Sequence, residues 1–133
     1  MMVRIALIDD NSDFVAFLAD LIAACGWEPL PYSRGSGVAE ELRQEQPDAV
    51  MLDIWLEERD TGWQVLEALR SNPITRDIPV IVCSADLQCI QDRAGWLEAE
   101  GVPVLQKPFE LDALEHLLEV AVSETRPAVA FSR

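Results

Sequence analysis

One rhythm constrains this chain more than any other feature. Short apolar runs each stop on a polar residue, and amphipathic stretches with a helical repeat separate them. Val3 to Ile8 is apolar except for Arg4 and stops at Asp9-Asp10-Asn11-Ser12. Ala49-Val50-Met51-Leu52 stops at Asp53, Ile78 to Cys83 stops at Ser84, and Val102-Pro103-Val104-Leu105 stops near Lys107-Pro108. A run that is apolar at nearly every position suits a strand buried on both faces, as in a parallel sheet covered by helices on two sides.

The stretches between these runs read as helices. Phe14, Phe17, Leu18, Leu21, Ile22 and Cys25 recur at steps of three and four, and Gly26 stops them. Val38, Ala39 and Leu42 mark a second helix, Val65, Leu66 and Leu69 a third, and Leu87, Ile90, Ala94 and Leu97 a fourth. Leu111, Leu114, Leu117, Leu118 and Ala121 form the inner face of the last. Trp27 to Tyr32 is a weaker strand, and Pro29 and Pro31 assign it to a sheet edge. Five strand–helix units in alternation predict an α/β fold. Its core is a doubly wound five-stranded parallel sheet of order 2-1-3-4-5 with right-handed crossovers. The domain is expected over residues 1–122, with residues 123–133, containing Pro127, as a flexible C-terminal tail.

Composition narrows the partners. The 133 residues carry a formal net charge of −14 and are 50% hydrophobic, so a packed core is expected. A surface that acidic repels nucleic-acid phosphates and anionic lipids, so neither nucleic acid nor membrane is an expected partner. It tolerates hard cations and basic patches on other proteins. Asp9 and Asp10 interrupt the first apolar run before a secretory core could form, and no apolar run approaches the length of a membrane span. Cys25, Cys83 and Cys89 are odd in number and lack CxxC spacing. Reduced, mostly buried thiols of a cytoplasmic protein are the expectation.

In an open parallel sheet, ligands bind beyond the carboxyl ends of the strands. With the order 2-1-3-4-5, Asp9, Asp10, Asp53, Ser84 and Lys107 converge on one rim although they lie far apart in the chain. Three crowded carboxylates repel one another unless a cation offsets them. An oxygen-only donor set suits Mg²⁺ better than zinc. Lys107 and Ser84 have no task in metal storage, but an ammonium and a hydroxyl beside such a cluster fit a phosphoryl group. Asp53, on the central strand, is then the candidate nucleophile.

At this point the chain resembles the receiver domain of two-component response regulators, from about Val3 to Ala121. The resemblance rests on Ala6-Leu7-Ile8-Asp9-Asp10-Asn11, Pro47-Asp48-Ala49-Val50-Met51-Leu52-Asp53-Ile54, Val80-Ile81-Val82-Cys83-Ser84-Ala85 and Lys107-Pro108-Phe109. It implies a flavodoxin-like fold in which Asp9 and Asp10 hold Mg²⁺ and Asp53 is both phosphoacceptor and metal ligand. The backbone carbonyl of Trp55 matches the third protein ligand. Ser84 matches the hydroxyl that swings to the phosphoryl group, and Lys107 the family's lysine, with Lys107-Pro108 cis. It also implies a histidine kinase or a histidine phosphotransfer protein as donor, and no turnover of an external substrate. The expected reading is a single-domain regulator that signals to an effector protein through the face of the fourth helix, fifth strand and last helix. Dimerisation on phosphorylation stays open.

Two departures from the family pattern stand out. Glu57 replaces the usual proline four residues after the phosphoacceptor, and Gly62 comes one residue late. Val104 replaces the usual aromatic three residues before the lysine. These keep alive a phosphorylation-independent interaction module; an aspartyl-phosphate hydrolase is a further alternative, although Asn11 stands where its Asp-x-Asp motif needs a second acid. Ser84 has a rival role as a helix N-cap. Trp55, two residues beyond Asp53, is a candidate shield of the acyl phosphate, and Asp86 a weaker one. Trp96 reads as packing or a partner contact, Trp27 and Trp63 as packing, and His116 as surface.

Overall fold

The computed structural model describes residues 2–54 and 61–125. The elements run β1 (Arg4–Ile8), α1 (Ser12–Ala24), β2 (Glu28–Tyr32), α2 (Val38–Glu45), β3 (Ala49–Asp53) and α3 (Thr61–Ser71). There follow β4 (Val80–Ser84), α4 (Leu87–Asp92), α5 (Ala94–Ala99), β5 (Val104–Gln106) and α6 (Leu111–Thr125). The five strands form one parallel sheet in the order β2-β1-β3-β4-β5, as the apolar rhythm predicts.

Successive strand side chains point to opposite faces, so each central strand feeds two cores. Ala6, Ile8, Val50, Leu52, Val80 and Val82 face α2, α3, α4 and α5, where Val38, Leu42, Trp63, Leu66, Leu69 and Leu97 close the packing. Ile5, Leu7, Ala49, Met51, Ile81 and Cys83 face α1 and α6, meeting Val15, Leu18, Ile22, Leu114, Leu118 and Ala121. β2 lies at the edge as expected. Its Pro29 and Pro31 stand opposite Ile5 and Leu7, while Glu28 N donates to Val3 O and Asp9 N donates to Tyr32 O. The prolines thus fall between ladder bonds, where a missing N–H costs nothing.

Three helix readings need correction. Phe17 and Cys25 do not share the buried face of α1: Val15, Leu18 and Ile22 make it, Phe17 is 51% exposed and Cys25 is the exposed C-cap. One residue turns a helix by about 100°, so Phe17 cannot point with Leu18. The fourth helix is two short ones. α4 ends at Arg93, whose φ of −114° and ψ of 11° leave the helical region, and α5 follows. Gly95, a poor helix former, weakens the run there, and Ala94 turns to solvent. The Leu87 side chain lies outside the described ones. Leu111, in the first turn of α6, is 38% exposed rather than inward.

α6 continues to Thr125, into the stretch expected as tail; residues 126–133 lie outside the described residues. Of the thiols, Cys83 and Cys89 are buried and Cys25 is exposed. Trp63 is buried, Trp96 is partly buried against the same core, Trp27 packs beside α1, and His116 is exposed. No helix among the described residues is long and apolar enough to cross a membrane.

Candidate functional site

Parallel register brings the polar strand ends together. Ile8 stands opposite Leu52, Asp53 opposite Cys83, and Ser84 opposite Gln106, so Asp9, Asp53, Ser84 and Lys107 reach the same edge. Asp9 and Asp53 are 4% and 7% exposed, and Asp10 is exposed. Carboxylate oxygens of Asp9, Asp10 and Asp53 lie within 4.8 Å of one another.

Lys107 joins this group from the loop after β5. Its backbone N donates to Ser84 O at 2.9 Å, and the Lys107-Pro108 peptide is cis as the resemblance implies. Its Nζ donates to Asp9 Oδ2 at 2.6 Å and to Asp53 Oδ2 at 3.1 Å. Burial alone would lower its pKa. The hydrogen bond to Asp9 and the charges of Asp53 and Asp9 outweigh that and hold it above the ordinary value, so the group is cationic at neutral pH.

One ammonium does not balance three carboxylates. The cluster is left two positive charges short, and its donors are all oxygen. That donor set and that deficit fit a hard divalent cation. A cleft of about 500 Å³ opens over it, lined by Asp9, Asp10, Asn11, Asp53, Ala85, Asp86 and Lys107. A larger groove of about 1210 Å³ lies near the opposite end of the sheet, beside Pro47, Pro79 and Pro103, and holds none of these residues.

Ser84 reaches the rim but does not line the cleft. It is fully buried, and its Oγ accepts from Asp86 N at 3.0 Å. The N-cap of α4 is instead Asp86, whose Oδ1 accepts from Cys89 N at 3.0 Å, which overturns the capping role considered for Ser84. Trp55 and Glu57 lie outside the described residues. Gly62 explains its late position: a Cβ there would stand 2.3 Å from Ile54 O and 2.4 Å from Ile54 Cα. The glycine sits where α3 crosses the end of β3, whatever the length of the loop between. Val104 is partly buried against the core on the α2–α5 side.

Three further contacts complete the site; the cap of α1 by Asn11 is foreshadowed by the polar run Asp9-Asp10-Asn11-Ser12, and the other two carry no signal in the sequence. Asn11 N donates to Asp9 Oδ1 at 2.9 Å, while the Asn11 side chain caps α1 by accepting from Phe14 N. The Lys107 Nζ also lies 4.6 Å from the centroid of the Phe14 ring.

Known proteins place this geometry. The family model described as response regulator receiver domain matches residues 5–119. The transcriptional regulatory protein PrrA of Mycobacterium tuberculosis is 35% identical over 111 residues, covering 84% of this chain and 46% of PrrA. The DNA-binding dual master transcriptional regulator RpaA of Synechocystis is 33% identical over 116 residues, covering 85% of this chain and 46% of RpaA. The chain therefore spans about half the length of these curated relatives. Both names speak of transcriptional regulation, so the expectation of no nucleic-acid partner gains no support from them. In fold, the chain is similar to the receiver domain of the sensor histidine kinase PA1611 from Pseudomonas aeruginosa, with a TM-score of 0.80 and 21% identity over 92% of this chain and 99% of that one. That structure has a magnesium ion coordinated in its active-site cleft. With the family match running through nearly every element of the sheet and its helices, the chain belongs to the receiver domains of two-component response regulators.

Proposed function

We propose that Asp53 accepts a phosphoryl group from a phosphohistidine on a histidine kinase or histidine phosphotransfer protein, and that the acyl phosphate shifts the domain between two states. The observation that carries this reading is the contact of Lys107 with Asp53 inside a carboxylate cluster at the end of the central strand. An Asp53 oxygen attacks phosphorus, a P–O bond forms, and the P–N bond to the donor imidazole breaks with its electrons returning to nitrogen. Asp9, Asp10 and Asp53, with the backbone carbonyl of Trp55, would hold Mg²⁺. When bound, that ion neutralises charge on the transferring phosphoryl oxygens.

Lys107 supplies a second positive charge at the same oxygens. It already lies between Asp9 and Asp53, so little reorganisation is needed. Ser84 then donates its hydroxyl to a phosphoryl oxygen. Its Oγ accepts from Asp86 N while its own proton stays free to be donated, so a turn of the hydroxyl toward the phosphoryl group bears on the start of α4. The readout face is α4, α5, β5 and α6, where an effector protein would dock. Val104 leaves this relay to the backbone and to α4 rather than to a turning aromatic ring.

The test is incubation with Mg²⁺ and acetyl phosphate followed by intact mass. The wild type gains one phosphoryl unit, and Asp53→Asn gains none. Equal labelling of both would refute the acceptor assignment, and no labelling of the wild type by acetyl phosphate or a phosphohistidine donor would favour a phosphorylation-independent module.

A further inference from the structure

Asp9, Asn11, Phe14 and Lys107 form a closed circuit of contacts. Asn11 N donates to Asp9 Oδ1 at 2.9 Å, and Phe14 N donates to Asn11 Oδ1 at 3.1 Å. The Phe14 ring lies 4.6 Å from Lys107 Nζ, which returns to Asp9 Oδ2 at 2.6 Å. The same ring meets Phe109 edge-on, with centroids 6.2 Å apart and planes at 70°. Phe14 therefore touches the loop after β5 at the lysine and again two residues beyond it.

We propose that Phe14 is the positioning residue for Lys107, its ring face holding the ammonium beside Asp53. This rests on the reading of Lys107 as the ammonium that meets the phosphoryl group. A lysine stem is flexible, and its two carboxylate partners are the groups a metal cation would also draw upon. An aromatic face attracts a cation without carrying net charge. It steadies the ammonium while adding nothing to the repulsion of three carboxylates or of an incoming anion. A further acid in that place would do the opposite. Plain packing would be satisfied by any apolar side chain of similar size, so the ring itself is what must be tested.

The chain makes the test clean, because Lys107 is its only lysine. Protein grown on lysine labelled with ¹³C at the ε carbon gives one side-chain signal. In metal-free buffer the ring face should shift the ε-CH₂ protons of Lys107 upfield of free lysine. Phe14→Leu should abolish that shift and Phe14→Tyr should keep it. Phosphorylation by acetyl phosphate should slow about three- to tenfold in Phe14→Leu and stay within about twofold of wild type in Phe14→Tyr. If Phe14→Leu does not fold, Phe14→Met takes its place. A lysine signal unmoved by loss of the ring, or equal rates for the leucine and tyrosine variants, overturns the proposal. If the wild type is not phosphorylated at all, the functional reading fails and the lysine signal alone decides the role of Phe14.

Discussion

The Lys107 ammonium donates to Asp53 Oδ2 at 3.1 Å across 54 positions of sequence. The contact exists because β3 and β5 both end at one edge of the sheet, with β4 between them. Removing the cation leaves Asp9 and Asp53 buried and facing each other. Lys107→Met should therefore destabilise the metal-free domain by about 1–3 kcal/mol in a urea titration, the partly open site screening the rest. The loss should shrink when Mg²⁺ is added. Phosphorylation by acetyl phosphate should fall about a hundredfold.

Binding of a divalent cation to the folded state alone stabilises it by mass action. Mg²⁺ should raise the thermal midpoint of the wild type in a concentration-dependent way. At a concentration of about 100 times the dissociation constant the gain is about 2.7 kcal/mol. Asp10→Asn keeps both Lys107 contacts but removes one oxygen of the cluster, and should lose most of that response. An undiminished response in Asp10→Asn would place the cation elsewhere.

Two glycines on helices give opposite expectations. A methyl at Gly62 collides with the backbone of Ile54 at 2.3 Å, so Gly62→Ala should cost about 2–4 kcal/mol or prevent folding. Gly95, within α5, has nothing within 4 Å of an added Cβ. Gly95→Ala should stabilise by about 0.5–1 kcal/mol. Chemical denaturation of the two variants side by side checks both signs.

Tyr32 is the only tyrosine. Partial burial, then the charges of Glu45 and Glu41, raise its pKa above the ordinary 10.0, while Arg4 and Arg34 oppose the shift. The folded state thus holds the phenolic proton more tightly than the unfolded chain. The resulting stability is present below about pH 10 and is lost as pH rises through the folded value. Tyrosinate absorbance should titrate above 10 in the native protein, fall back on denaturation, and move down in Glu45→Gln.

Much of this was legible in the residues, because the signals are strong and local. Unbroken apolar runs such as Ala49–Leu52 suit doubly covered strands, and the carboxylates and lysine that end such runs share a rim once the sheet is parallel and ordered 2-1-3-4-5. Pro29 and Pro31 marked the edge by the N–H they lack. What escaped was set by tertiary contact. Phe17 satisfies a spacing of three from Phe14 but lies one step around α1 from Leu18. The break falls at Arg93, just before Gly95, in a run whose spacing alone reads as one helix. The Ser84 hydroxyl turns out to accept from Asp86 N, a bond set by the loop between β4 and α4 rather than by any spacing in the sequence. No spacing rule links Phe14 to Lys107; the loop after β5 brings them together.

The most direct measurement is chemical trapping of the phosphorylated residue. Wild-type protein treated with Mg²⁺ and acetyl phosphate is reduced with borohydride, which converts an aspartyl phosphate to homoserine, and its peptides are mapped by mass. The account predicts homoserine at position 53 and at no other aspartate. Homoserine at position 9, 10 or 86, or none anywhere in a chain that has gained phosphate, would contradict it.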